Sequence, residues 1–181
     1  VSPALILRAF VPPCANATAT LTIAVNTLPS AGGNGALNTC DNGPVVDLYT
    51  LLTGTPDAGG AWTLGGLPVS NLFTPGSSVP GTYVYTVNGT PPCPNATANV
   101  VATVVAAPDA GSSRSITVCS DDAPFNMVAQ LGGTPDAGGT WSPASNGTFT
   151  PGTSTPGPYT YTVLGTSPCS NASAVLTITV R

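Results

Sequence analysis

The chain has 181 residues, of which only 6% are charged, seven Asp and three Arg, for a net charge of −4; an average soluble domain carries about 25%. Lys, Glu and His are absent, which removes the usual general bases, the commonest metal ligand and any basic patch for nucleic acid. The hydrophobic share of 41% is ample for packed cores, yet no apolar run reaches the ~18 residues of a membrane-spanning helix.

Residues 1–25 read as the last third of a repeat whose full copies follow. Pro12-Pro13-Cys14-Ala15-Asn16-Ala17-Thr18 returns as Pro91-Pro92-Cys93-Pro94-Asn95-Ala96-Thr97 and again as Ser167-Pro168-Cys169-Ser170-Asn171-Ala172-Ser173. Each copy runs into an alternating strand: Leu21, Ile23, Val25; then Val100, Ala102, Val104; then Leu176, Ile178, Val180. Alternation of this kind marks a half-buried strand. The opening segment is therefore expected to be a terminal hairpin without the strands that should precede it. Counting back from the cysteine puts Arg8 where Val87 and Val163 stand. Either this copy is degenerate, or its partner surface lies on a neighbouring domain or chain. Val1 opens in mid-repeat and no signal peptide or sorting tail is visible in the sequence, so the chain is expected to be a piece of something longer.

The first full repeat is expected over 26–105. A strand with Leu37 and Thr39 ends at Cys40, Asp41-Asn42-Gly43-Pro44 turns, and Val46, Leu48, Thr50 and Leu52 share one face of a second strand. Thr55-Pro56-Asp57-Ala58-Gly59-Gly60-Ala61-Trp62 follows, a reversal built on fixed and positive φ angles and leading into a Trp strand. Phe73-Thr74-Pro75-Gly76 and the strand Tyr83-Val84-Tyr85-Thr86-Val87 come next.

The second repeat, 106–181, retraces each step. Ile116 and Val118 precede Cys119, and Phe125, Met127, Ala129 and Leu131 replace the second strand's inner face. Thr134-Pro135-Asp136-Ala137-Gly138-Gly139-Thr140-Trp141 repeats the reversal 79 residues on (134 − 55), and Phe149 and Tyr159-Thr160-Tyr161-Thr162-Val163 follow in order. A fixed period of this size signals a repeat architecture. No helical period appears, so the fold class expected is all-β: tandem small Ig-like antiparallel β-sandwiches, head to tail.

Trp62 and Trp141, one per repeat at the same strand position, are expected as core aromatics packed between sheets; the alternative is a carbohydrate-binding module using both as sugar platforms. Tyr83, Tyr85, Tyr159 and Tyr161 are expected in the core, with hydroxyls at the rim. Asp57, Asp136, Asp121 and Asp122 are considered for Ca²⁺, which wants six to eight oxygens, but Asp is an ordinary turn residue and neither metal nor cofactor is expected. Asn16, Asn95, Asn171, Asn88 and Asn146 stand in Asn-x-[Thr/Ser] sequons. These read either as glycan acceptors of a secreted protein or as a repeated Asn turn. An enzyme is not expected, because Asp121-Asp122 are neighbours in a turn and not facing carboxylates.

Five cysteines at matching positions suggest disulfides and an extracellular setting. Cys40 and Cys119 close first strands; Cys93 and Cys169 open last ones. In a seven-stranded sandwich those points lie at opposite ends, beyond the ~7 Å between Cα atoms that a bond allows, and Cys40–Cys169 across two repeats becomes possible. An even strand count would instead bring Cys40 to Cys93 and Cys119 to Cys169. Within-repeat pairs are the expectation, since small domains commonly staple themselves, with Cys14 the odd one.

Taken together, a Cys-closed strand, Gly-Gly-x-Trp (Gly59–Trp62, Gly138–Trp141), Phe-x-Pro-Gly, Tyr-x-Tyr-Thr-Val and Pro-Cys-x-x-Ala before a Thr/Val strand resemble the Ig-like repeats of giant Bacteroidota cell-surface adhesins, nearest the SprB-like gliding-motility type. The resemblance implies type IX secretion, attachment at the cell surface and an extended filament, and it carries no catalytic residues. The expected role is a structural repeat segment, a stiff spacer in surface attachment or gliding. Its expected partners are neighbouring repeats or subunits of the same protein, with surface glycans considered as a second class, and neither nucleic acid nor membrane insertion.

Overall fold

The computed structural model describes residues 4–9 and 17–181. The first two strands, β1 (Ala4–Ala9) and β2 (Ala17–Thr22), pair antiparallel in a two-stranded sheet of their own. Their register corrects one expectation. Leu5, Leu7 and Ala9 face Leu21, Ala19 and Ala17, just as Tyr159, Tyr161 and Val163 face Leu176, Ala174 and Ala172. With Leu21 matched to Leu176, Ala9 and not Arg8 takes the place of Val163. The cause is a one-residue difference in spacing: the paired positions Ala9 and Ala17 are eight apart in sequence, and Val163 and Ala172 are nine apart. A register count taken through a loop of different length slips by one, and a slip of one moves a residue to the other face.

The next sheet has the order β3-β9-β8-β5-β6, built from β3 (Gly35–Cys40), β5 (Ala61–Leu64), β6 (Leu67–Pro68), β8 (Gly81–Val87) and β9 (Ala96–Val105). A separate ribbon pairs β4 (Val46–Asp47) with β7 (Leu72–Phe73). The second repeat gives β10 (Arg114–Val118), β12 (Thr140–Ser142), β14 (Gly157–Val163) and β15 (Ala172–Val180) in the order β10-β15-β14-β12, with the ribbon β11 (Phe125–Asn126) and β13 (Thr148–Phe149). Met127, Trp141, Phe149, Tyr159, Tyr161, Leu176 and Ile178 form one buried cluster that draws on sheet and ribbon alike. This is an Ig-like β-sandwich. The β10–β15 pairing departs from the expected antiparallel pattern: the two strands run parallel, with Arg114 opposite Leu176 and Val118 opposite Val180. The chain leaves β10 for the ribbon and comes back to the same sheet before β15, a crossover of the kind that parallel neighbours require.

The expected second strand is also shorter than its apolar spacing suggested. After Val46–Asp47 the chain turns into a 3₁₀ segment, Leu48–Leu51, and after Phe125–Asn126 into another, Val128–Gln130. The Asp47 carboxylate accepts the Tyr49 N–H at 3.0 Å, and the Asn126 side-chain oxygen accepts the Val128 N–H at 2.9 Å. Such bonds offer the backbone an alternative to the ladder. Leu48, Leu52, Met127 and Leu131 are buried while Thr50 and Ala129 are exposed, so burial recurs every four residues and not every two.

The compact units do not follow the repeats. One comprises Val1–Gly35, Thr50–Val69 and Tyr83–Val100; the other comprises Ala36–Tyr49, Ser70–Thr82 and Val101–Arg181. Among the described residues no helix is long and apolar enough to cross a membrane.

Candidate functional site

The recurring reversal is held by the same bonds in each unit. In the first, the Ser30 N–H donates to the Asp57 carboxylate at 2.8 Å and the Asp57 N–H donates to the Ser30 carbonyl at 2.8 Å. The Tyr85 hydroxyl donates to the Asp57 carbonyl at 2.7 Å and accepts the Gly60 N–H at 2.9 Å. In the second, Asp109 and Asp136 exchange the equivalent pair at 2.8 and 2.7 Å, and the Tyr161 hydroxyl bridges Gly139 and Asp136 at 2.9 and 2.7 Å. Gly59 and Gly138 take φ +84° and +86°, the region that favours glycine. Gly60 and Gly139 are glycine for another reason: a Cβ there would stand 2.6 and 2.5 Å from the tyrosine Cζ. The hydroxyls of Tyr85 and Tyr161 were expected at the rim; their clasp on the turn was visible only as a Gly-Gly and a second Tyr recurring together in both copies.

These bonds also decide the aspartates. The carboxylates of Asp57 and Asp136 are committed to backbone N–H groups. Asp121 and Asp122 lie within 4.8 Å of Cys119, all three exposed, and Asp122 accepts the Cys119 N–H at 2.7 Å. Two solvated carboxylates and a thiol do not match a hard cation's need for six to eight oxygens.

Trp62 and Trp141 are 6% and 9% exposed, with ring centroids 5.1 and 5.0 Å from Tyr85 and Tyr161. Rings buried to this degree offer no free face for a sugar, which removes the platform alternative. Tyr83 is buried as well, and loss of solvation raises its phenol above the ordinary tyrosine range. Asn95 and Asn171 are exposed, and their side-chain oxygens accept the N–H of Gly89 and Gly165, each at 3.0 Å. Asn146 accepts the Thr148 N–H at 3.0 Å, and Asn88 is exposed. Asn146 thus makes an Asx turn, while Asn95 and Asn171 each reach back to a glycine six residues earlier. Asn16 and Cys14 lie outside the described residues.

The cysteines correct the preferred pairing. Cys40 is bonded to Cys169, with Cα atoms 5.0 Å apart, while Cys93 and Cys119 are free. Both bonded residues belong to the second compact unit. The parallel β10–β15 pairing explains why Cys119 cannot reach Cys169. Cys119 follows Val118, level with Val180, whereas Cys169 precedes the other end of the nine-residue β15. At about 3.3 Å per residue that strand separates them by about 26 Å, far beyond the ~7 Å limit. Cys169 Sγ rests 3.4 Å from the carbonyl oxygens of both Val105 and Ala106, where the first repeat's last strand passes into the second repeat. A groove of about 360 Å³ beside the bridge, lined by residues such as Asn38, Pro44, Pro108 and Asn171, has no titratable side chain.

One apolar stretch stands open at the end of β2, which stops at Thr22 and not at Val25 as its alternation suggested. Leu21, Ile23 and Val25 are 54%, 46% and 83% exposed, while their counterparts Leu176 and Ile178 are 0% and 1% exposed.

No protein-family model and no curated protein matches the chain. Among solved structures it is similar to the titin I-band fragment I67–I69, with 11% identity, TM-score 0.47 and coverage of 92% of this chain and 70% of that one. It is also similar to immunoglobulin domains 1–4 of Sidekick-1, with 15% identity, TM-score 0.30 and coverage of 91% and 54%. The chain thus spans about half of that Sidekick-1 structure. The fold rests on the sheets described above.

Proposed function

We propose that the chain is a structural segment of an extracellular adhesin or filament, a stiff spacer that carries tension between a cell surface and whatever lies at its far end. The observation behind this reading is the Cys40–Cys169 bridge, a covalent link from the first strand of one repeat to the start of the last strand in the next. A pull applied outside these two cysteines passes through the sulfur–sulfur bond and bypasses the 128 residues between them (169 − 40 − 1). A disulfide also suits an oxidising, extracellular compartment. The motif resemblance to SprB-like Bacteroidota adhesins supports the same setting, with 1–25, 26–105 and 106–181 as successive copies of one unit and neighbouring copies as the partners.

Stretching the chain by its ends tests this. A fully extended residue spans about 3.5 Å, so a sequence separation of 129 represents about 450 Å of length that the intact bridge withholds. The oxidised chain should resist extension of that stretch, and a reducing agent should release it. If the oxidised chain yields at the same force and to the same length as the reduced one, the bridge carries no tension and the spacer reading fails.

A further inference from the structure

Cys93 and Cys119 are the unused halves of a pattern that the protein completes once. Cys40 ends and Cys119 directly follows the first strands of successive repeats, 79 residues apart (119 − 40), and Cys93 and Cys169 precede the last strands, 76 apart (169 − 93). Their surroundings agree. Asp41 N–H, next to Cys40, donates to the Val105 carbonyl at 2.9 Å; Ser120 N–H, next to Cys119, donates to the Arg181 carbonyl at 2.9 Å. Cys93 N–H donates to the Thr90 carbonyl and Cys169 N–H to the Thr166 carbonyl, each at 2.9 Å. The Cys93 thiol lies 3.8 Å from the carbonyl oxygen of Asn26, the residue 79 places before Val105 (105 − 26), which is one of the two carbonyls that Cys169 Sγ touches. Cys93 is half-buried and Cys119 exposed, so both can be reached.

We propose that both are half-cystines of further bridges of the same kind. Cys93 takes the first-strand cysteine of the repeat before it, and Cys119 takes the last-strand cysteine of the repeat after it. Each repeat is then stapled to both neighbours, and the occupant at each thiol is another repeat of this design. Each bridge forms as two S–H bonds break and one S–S bond forms. The two electrons and the two protons pass to a disulfide-bearing oxidant, whose own S–S bond breaks to give its dithiol. Pairing within a repeat is closed to Cys119 by the length of β15, as described above. The inference stands on the bridge and its copies, not on the spacer reading.

The test extends the full chain by a second copy of residues 106–181 after Arg181, with oxidation, thiol alkylation and peptide mapping. In the 181-residue chain both Cys93 and Cys119 should be alkylated, with Cys40–Cys169 intact. In the extended chain Cys119 should become protected and map to the added copy's counterpart of Cys169, and changing that counterpart to Ser should restore alkylation. The Cys40–Cys169 bridge reports on folding in every sample. If it forms while Cys119 stays alkylated, or if Cys119 maps to any other cysteine, the proposal is overturned.

Discussion

Adjacent glycines in the reversal are needed for different reasons, and substitution separates them. Gly138 has φ +86° and nothing within 4 Å of an added Cβ, so Gly138→Ala meets backbone strain alone, about 1–2 kcal/mol. At Gly139 the Cβ would strike the Tyr161 ring and displace a hydroxyl that makes two hydrogen bonds. Two net bonds of about 1 kcal/mol each, with overpacking of about 1–3 kcal/mol, make Gly139→Ala the costlier change, at about 3–5 kcal/mol. Denaturant midpoints of the two variants check the order. Tyr83 supplies a pH signature: burial raises its phenol, so the neutral form is favoured when folded. Its contribution is fully present below the ordinary tyrosine value of about 10 and is lost as pH rises through the higher folded value. Alkaline unfolding curves should fall less steeply above about pH 10 in Tyr83→Phe than in the parent; equal slopes would show that this phenol does not contribute.

At the scale of the element, what could be read from sequence was what period and turn chemistry control directly. The alternation of Tyr159, Tyr161 and Val163, and of Leu176 and Ile178, matches the buried face of the sheet, because a strand's side chains can face only two ways. The Pro-Asp-Ala-Gly-Gly reversal was legible for a similar reason, since few residues tolerate its φ angles. Less legible was whatever rests on one side chain reaching the backbone. Val46, Leu48, Thr50 and Leu52 alternate as a strand does, yet Asp47 captures the Tyr49 N–H and winds the segment into 3₁₀. The cysteine pairing was legible only as alternatives, because it turns on whether the first strand lies parallel to the last. That direction is a property of chain crossing between sheets and leaves no mark on hydropathy. Once β10 is parallel to β15, geometry forbids the pairing of Cys119 with Cys169. The Tyr–Gly clasp is intermediate: its residues recur visibly in both copies, but the hydroxyl's two bonds depend on the fold that brings β14 beside the turn.

At the scale of the whole molecule, the unsettled surface is the opening hairpin. In the second repeat, β15 lies between β10 and β14, and Leu176 and Ile178 are fully buried. The equivalent strand β2 pairs with β1 in a two-stranded sheet, and Leu21, Ile23 and Val25 are left largely in water. Full burial of one such side chain contributes about 1.5–3 kcal/mol, and a lone two-stranded hairpin is marginal at best. An open apolar edge recruits further strands. We therefore expect another copy of the repeat to complete the hairpin by strand addition, the mode in which main-chain bonds supply affinity and alternate side chains supply specificity. A first strand laid parallel on the free edge of β2 would reproduce the place β10 holds beside β15. Hydrogen exchange on the isolated 181-residue chain measures this directly. Amides from Leu21 to Val25 should exchange far faster than those from Leu176 to Val180, and should slow once the chain is assembled with further copies. Equal protection of the two stretches in the isolated chain would mean that the hairpin is stable by itself, and no partner would be needed to complete it.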